Sequence, residues 1–279
     1  ITPRKSMPRL LPMPEVAATV PPAGKAQDEM PAMSFLEHLE ELRRRIIFCL
    51  IAVAVGFFAC WAYAERIYGI MQAPIMTALH NNGMSEKLVY LNPTEPFNLY
   101  LKVAALAGLF VTSPFVLYQL WLFISPGLYR HEKRYVFPFM FSTVALFLSG
   151  GIFGYKIVYP AALDFLISYG KQFQPMITIG EYTDLFLTII LGMGVIFELP
   201  ILVFFLSLMG IVSAGFMWKN LRYAILVIFI IAAIITPTTD ILNMCIFAAP
   251  MVGLYALSIG IAFLVHPKQR RARREKQGK

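Results

Sequence analysis

The chain has 279 residues, of which 58% are apolar and only 14% charged, with a formal net charge of +8. An average soluble domain is about 25% charged, and a soluble core of this size cannot hide 23 phenylalanines together with their apolar neighbours. A soluble protein is excluded: lipid must be the solvent, and the chain reads as a polytopic, all-α membrane protein.

Residues 1–33 hold seven prolines and no apolar run long enough for a signal-peptide core, so they are expected to be a disordered tail. Order is expected from Ser34, where Ser34-Phe-Leu-Glu37 has the form of a capping box. Phe35, Leu36, Leu39, Leu42 and Ile46 then share one helical face. On the opposite face Glu40 and Glu41 each stand four residues before an arginine, Arg44 and Arg45, the favourable order for such pairs. The pattern predicts a short amphipathic helix at the membrane surface, running into the first span.

Six apolar stretches follow, at 46–64, 103–123, 135–159, 185–209, 223–235 and 242–265. Four are long enough for ~30 Å of hydrocarbon at ~1.5 Å per residue. The fifth, 223–235, reaches only ~20 Å and is expected to thin the bilayer or to shelter among other helices. Its connection to the sixth, Thr236-Pro-Thr-Thr-Asp240, is a tight turn without positive charge. Residues 34–266 thus form one six-helix membrane domain, and 267–279 a basic tail.

Orientation follows from lysine and arginine placement. With the N-terminus inside, only Arg66, Lys87, Lys102, Lys156 and Lys171 of the 24 basic residues lie on the outer side. Both termini are therefore expected in the cytoplasm. Most of the bias comes from the two tails, and the C-terminal one, Lys268 and Arg270 to Lys279, reads as a topology and headgroup anchor rather than a nucleic-acid arm. Prolines lie in or beside most spans: Pro114, Pro138, Pro160, Pro200 and Pro250. Kinked helices packed around Gly150-xxx-Gly154 predict a concave bundle, although kinks without function fit the same pattern.

Few residues offer chemistry. Cys49, Cys60 and Cys245 all lie in apolar runs and read as buried small hydrophobes. The histidines His38, His80, His131 and His266 sit near the ends of these runs or between them, and no HExxH or GxSxG motif occurs. An intramembrane enzyme lacks a paired nucleophile and base, and no metal or cofactor is expected. Of sixteen acidic residues, only Glu198 lies deep in an apolar run, Gly194-Val-Ile-Phe-Glu198-Leu-Pro200. A charge there costs roughly 2.5–3.5 kcal/mol, and no lysine or arginine occupies the middle of a span to pair with it. It is protonated, bonded to a hydroxyl, or a docking point for a polar group of another protein. A second cluster, Leu122-Phe-Ile-Ser-Pro126-Gly-Leu-Tyr-Arg-His-Glu132-Lys-Arg134, breaks its helix at Pro126-Gly127. It leaves Glu132 on the inner face, approached by Phe123 and Tyr129. With Glu41 it offers carboxylates that each fit an arginine fork; taken alone, Glu132 among Arg130, Lys133 and Arg134 also fits ordinary surface pairing.

These residues fall in motifs that resemble the TatC family, the multi-spanning component of the twin-arginine protein translocase. The motifs are Phe35-Leu-Glu-His-Leu-Glu-Glu-Leu-Arg-Arg44, Ala73-Pro74, Ser113-Pro-Phe-Val-Leu-Tyr-Gln-Leu-Trp121, Phe123 to Arg134, Phe197-Glu-Leu-Pro200 and Thr236-Pro237. They cover residues 34–266 in the family's order and spacing. The resemblance implies a six-helix, glove-shaped receptor in the bacterial cytoplasmic membrane. Such a receptor binds the twin-arginine signal peptides of folded precursors and works with single-span TatA-type and TatB-type subunits. It assembles with further copies, and the proton-motive force drives transport. By matching motif, Glu41 and Glu132 would recognise the paired arginines, with Arg43, Phe123 and Tyr129 shaping the same patch. Pro74 and Pro126 would be structural, and Glu198 and Asp240 would meet partner subunits. The chain departs from the family where a glutamine often follows the loop acid by four residues: it has Met244, and the neighbouring Asn243 lies about 100° around the helix. The rival reading is a proton-coupled transporter of a small solute using Glu198, but one isolated acid is thin equipment and the two halves show no repeat.

On the translocase reading, the short fifth and sixth helices are expected to thin the membrane where a folded cargo crosses. Lengthening 223–235 by four leucines is then expected to impair transport while leaving signal-peptide binding intact, as measured by vesicle import beside peptide titration.

Overall fold

In hydrocarbon, backbone groups must be satisfied within the chain, and in the computed structural model helices do this nearly everywhere. The structure describes residues 35–85, 87–124, 136–170, 173, 176–235 and 241–265. In chain order the helices are α1 (Phe35–Trp61), α2 (Ala64–Asn81), α3 (Glu95–Ile124), α4 (Val136–Phe153), α5 (Tyr159–Tyr169), α6 (Ile179–Ile196), α7 (Leu199–Leu208), α8 (Ala214–Lys219), α9 (Leu221–Ile235) and α10 (Ile241–Val265). A π-helical turn, Gly154–Val158, joins α4 to α5. The chain divides into two units, 1–40 and 41–279, and the packing described here is that of the second.

Five segments are long and apolar enough to cross a membrane: Leu36–Trp61, Glu95–Phe123, Met140–Ser168, Ile179–Leu208 and Met244–Leu264. The fifth span in chain order, α9, has 15 residues and reaches only ~22 Å at 1.5 Å per residue. The expected shortness of the fifth span holds, whereas α10, at 25 residues, is not short. Several boundaries differ from the sequence reading: the second span begins at Glu95 rather than 103 and the fourth at Ile179 rather than 185. The first span ends at Trp61 rather than 64, and the chain turns at once into α2, a helix the apolar pattern did not announce. The third continues beyond 159, through the π turn, to Tyr169. The fourth, read as one run from 185 to 209, is two helices broken at Phe197 and Glu198. The proline-rich head, the Thr236–Asp240 turn and the basic tail lie outside the described residues.

The main core lies where α2, α3, α5, α6, α9 and α10 meet. Met71, Ile75, Ala78 and Leu79 supply the buried face of α2, with Val103, Tyr159, Ile189, Met193, Phe247 and Met251 from the others. The Met71, Ile75, Ala78, Leu79 spacing is that of one helical stripe, so α2 packs on the bundle through one side. Its end is fixed by Gly83, whose φ of +66° is the left-handed cap that favours glycine; Gly83 N–H donates to His80 O and Met84 N–H to Leu79 O, both at 3.0 Å. Two tyrosines tie α2 to the helices beneath it: Tyr182 Oη donates to Met71 O at 2.6 Å and Tyr155 Oη to Ile70 O at 2.8 Å. The loops at this end are joined by a short parallel bridge, Val89 N–H to Ile177 O at 3.0 Å and Ile179 N–H to Val89 O at 2.9 Å.

Small residues set the closest helix approaches. A Cβ at Gly56 of α1 would stand 2.8 Å from Gly108 O, and one at Gly108 of α3 would stand 2.6 Å from Phe57 N. The Gly150-xxx-Gly154 pair packs α4 and its π turn against α6: a Cβ at Gly150 would lie 2.6 Å from Met193 O. The three cysteines are free thiols, Cys60 buried as expected but Cys245 exposed on the apolar surface. Gly108→Val is expected to overpack the α1–α3 crossing by about 1–3 kcal/mol. The melting temperature in detergent should fall measurably, while Val111→Leu, on the exposed side of α3, should leave it unchanged.

Candidate functional site

Glu41 and Arg45 are one helical turn apart on α1, and their charges pair there. Arg45 Nε donates to Glu41 Oε1 at 3.0 Å, and Arg45 Nη2 donates to the same oxygen. Arg45 Nη1 reaches across to α3, donating to Gln119 Oε1 at 3.1 Å. Gln119 is 8% exposed, so an amide inside an otherwise apolar run is spent on orienting this arginine. All three donor directions of the guanidinium fork that face the protein are thereby used. Glu41 Oε1 takes two of them, while Glu41 Oε2 is buried with no hydrogen-bond partner among the described residues. A buried carboxylate oxygen left unpaired is costly, and it is the atom a further cationic donor would satisfy. Phe123 follows Gln119 by four residues on α3 and shares its helical face. Arg43 is exposed and has no ion-pair partner among the described residues, and Arg44 lies over the Phe48 ring at 5.7 Å. The structure thus brings together Glu41 and the α3 face that carries Phe123. Pro126, Tyr129 and Glu132 lie outside the described residues, as does Asp240.

The sequence pattern offers Arg45 only as a partner of Glu41 along α1 and does not single out Gln119. The signal was present: a neutral amide in an apolar run that must find a buried partner. Its partner, however, is 74 positions away.

The second location is the break between α6 and α7. Phe197 N–H donates to Met193 O at 3.0 Å and Glu198 N–H to Val195 O at 3.1 Å; Leu202 N–H then returns to Glu198 O at 2.9 Å. Glu198 is thus the residue before α7, and Pro200 sits in the first turn of that helix, where its missing N–H costs nothing. The break is seated by Gly150, since a Cβ there would lie 2.8 Å from Phe197 Cβ. Across the same joint the Phe153 and Phe197 rings stack at 5.4 Å. Glu198 Oε1 is buried and, like Glu41 Oε2, has no partner among the described residues. No described lysine or arginine pairs with it. Proline was read as a kink, and Pro200 instead opens a new helix whose preceding residue is the acid.

Pro74 lies inside α2, half-buried, one position before the fully buried Ile75. Met244, where a glutamine had been the alternative, is half-buried against the main core, as suits a thioether and not an amide. No group of three or more His, Cys, Asp or Glu side chains suited to a metal ion occurs among the described residues.

A helical bundle with several segments long and apolar enough to cross a membrane, carrying two carboxylates with a buried oxygen unpaired among the described residues, defines the class: a polytopic membrane protein. The family model for "Sec-independent protein translocase protein (TatC)" matches residues 37–250. The TatC protein of Koribacter versatilis is 71% identical over 262 residues, covering 93% of this chain and 97% of that one. The protein of the same name from Carboxydothermus hydrogenoformans is 37% identical over 238 residues, covering 85% and 96%. A crystal structure of the twin arginine translocase receptor TatC superimposes with a TM-score of 0.74 at 34% identity, covering 82% of this chain and 99% of that one. The chain belongs to the TatC family and is a multi-pass membrane protein.

If Gln119 orients Arg45 and through it Glu41, Gln119→Ala should weaken binding of an arginine-bearing ligand by about fivefold, the worth of one hydrogen bond of ~1 kcal/mol. Titration of a fluorescent twin-arginine peptide, beside an unchanged melting temperature, checks this.

Proposed function

We propose that this protein is the receptor component of a twin-arginine translocation system. It binds the twin-arginine signal peptide of folded precursor proteins and, with TatA-type and TatB-type single-span partners, supports their export driven by the proton-motive force. Family membership supports the reading, and the observation that carries it to a site is Glu41 Oε2, buried and unpaired beside an oxygen already held by Arg45. Arginine is the complementary ligand: its planar fork donates two parallel bonds to a carboxylate, whereas lysine offers a point charge. Glu132 is the second carboxylate of the pair, with Arg43, Phe123 and Tyr129 shaping the patch between them. Glu198, at the break of the fourth span, receives a polar group from a partner's membrane helix, because an acid so placed is stabilised by whatever hydrogen bond the partner brings. Asp240 contributes to the same partner interface, and Pro74 and Pro126 hold local backbone geometry. The protein acts as a receptor and not as an enzyme.

The distribution of lysine and arginine supports a bacterial cytoplasmic membrane location with both termini inside, which puts Glu41 on the side where precursors are made. Further copies of the chain join the working complex. The small-solute transporter reading has no support in the family match.

Binding of an Arg-Arg signal peptide to the purified full chain in nanodiscs should exceed that of its Lys-Lys counterpart by about tenfold or more, as charge-assisted bidentate bonds predict. Glu41→Gln and Glu132→Gln should each abolish the preference. Equal, weak binding of both peptides, indifferent to either substitution, would overturn the site.

A further inference from the structure

A cavity of about 540 Å³ lies between α2, α3, α4 with its π turn, and α6. Ile70, Ala107, Phe110, Gly151 and Ile152 are among its apolar walls, and Lys156 stands at its polar end. Gly151 lets the Phe110 ring pack closely on α4 and so shapes this wall: a Cβ there would run into that ring. Tyr155 also lines the cavity, but its hydroxyl is already spent on Ile70 O. Lys156 is exposed and has no ion-pair partner among the described residues, whereas Lys102 on α3 pairs with Asp184.

Depth identifies what fits. Lys156 follows Val136, the start of α4, by twenty positions, about 30 Å of helix and hence one hydrocarbon thickness. Lys102 precedes Ile124, the end of α3, by a similar length, so both lysines lie at the interface opposite the α3–α4 connection. From Lys156 the α4 wall descends to Leu148, about 12 Å, close to the depth of a single leaflet. Ile70 and Ile152 are 66% and 59% exposed, so the cavity opens sideways to hydrocarbon. A single hydrocarbon chain is slender enough for this space, walls of this kind exclude water, and the Lys156 ammonium at its rim matches an anionic headgroup.

We propose that this cavity is a phospholipid site. One acyl chain lies along the wall formed by Ala107, Phe110, Gly151 and Ile152, and the lipid phosphate pairs with the Lys156 ammonium. The lysine acts as a point charge at the headgroup level. The site is separate from Glu41 and Glu198, and it does not depend on the receptor reading.

The test uses the full chain in phosphatidylcholine nanodiscs doped with phosphatidylglycerol that carries a diazirine near the end of one acyl chain. After irradiation, adducts are mapped by peptide mass. Adducts should concentrate on Leu106–Phe110 and Leu148–Ile152 over the lipid-facing Leu50 and Phe58 of α1. Lys156→Gln should lower the cavity adducts about fivefold through loss of a charge-assisted contact, and Lys156→Arg should restore them. Ala107→Phe, which fills the space, should abolish them without altering the melting temperature. If that variant does not fold, the two Lys156 variants decide alone. Cavity adducts no denser than those on α1, or indifferent to Lys156→Gln, would overturn the proposal. So would cavity adducts lost when a single-span partner protein is added, which would assign the space to a helix.

Discussion

Everything in this structure depends on one condition: a backbone amide or carbonyl in hydrocarbon has no water to turn to. The helices meet it along their length, and the interruptions meet it individually. At Phe197 and Glu198 the amides bond back to Met193 and Val195 while Glu198 O accepts from Leu202 N–H. At α2 the carbonyls of Ile70 and Met71 are taken by the hydroxyls of Tyr155 and Tyr182. The main chain is therefore satisfied at the very places where the side chains are not. Among the described residues Glu41 Oε2, Glu198 Oε1 and the Tyr159 hydroxyl are the buried side-chain atoms that stand out against that background, each without a hydrogen-bond partner; the first two are carboxylate oxygens.

The two acceptors are prepared differently. Glu41 is held by a charge network that reaches a second helix through Arg45 and Gln119, so its direction is fixed, and on the proposed receptor reading this lowers the ordering cost of binding. Glu198 is held by backbone geometry alone. Its position follows from the joint between α6 and α7 and from the glycine that lets Phe197 seat against α4. One site is oriented by hydrogen bonds and the other by packing, and substitutions at a distance affect them through different neighbours.

Much of this was legible in the sequence. The spans, the acid in the fourth of them, the short fifth and the motif set all follow from composition and order along the chain. The features that were not legible depend on pairs of residues far apart. The run 185–209 is apolar on both sides of Glu198, so its apolar pattern reads as one span; the break is specified jointly by Pro200 and by Gly150 on another helix. Helix α2 has only one buried stripe and carries Glu65, Arg66 and a proline, so no apolar run announces it. Gln119 is oriented by a partner that lies on α1. Single-chain patterns report which face is apolar, not which other face it meets.

The glycine crossing of α1 and α3 has a mechanical consequence. Much of α1 faces outward, with Leu50, Ile51, Val55 and Phe58 exposed, and its close backbone contact with α3 falls at Gly56 and Gly108. Glu41 lies fifteen residues from that crossing, a lever arm of about 22 Å. Helices answer a change in bilayer thickness by tilting, and a tilt of about 10° on an arm of that length displaces its end by about 4 Å. The Arg45–Gln119 bond is the latch against that swing. Lipid thickness and the position of a carboxylate at the membrane edge are thus coupled through a single fulcrum.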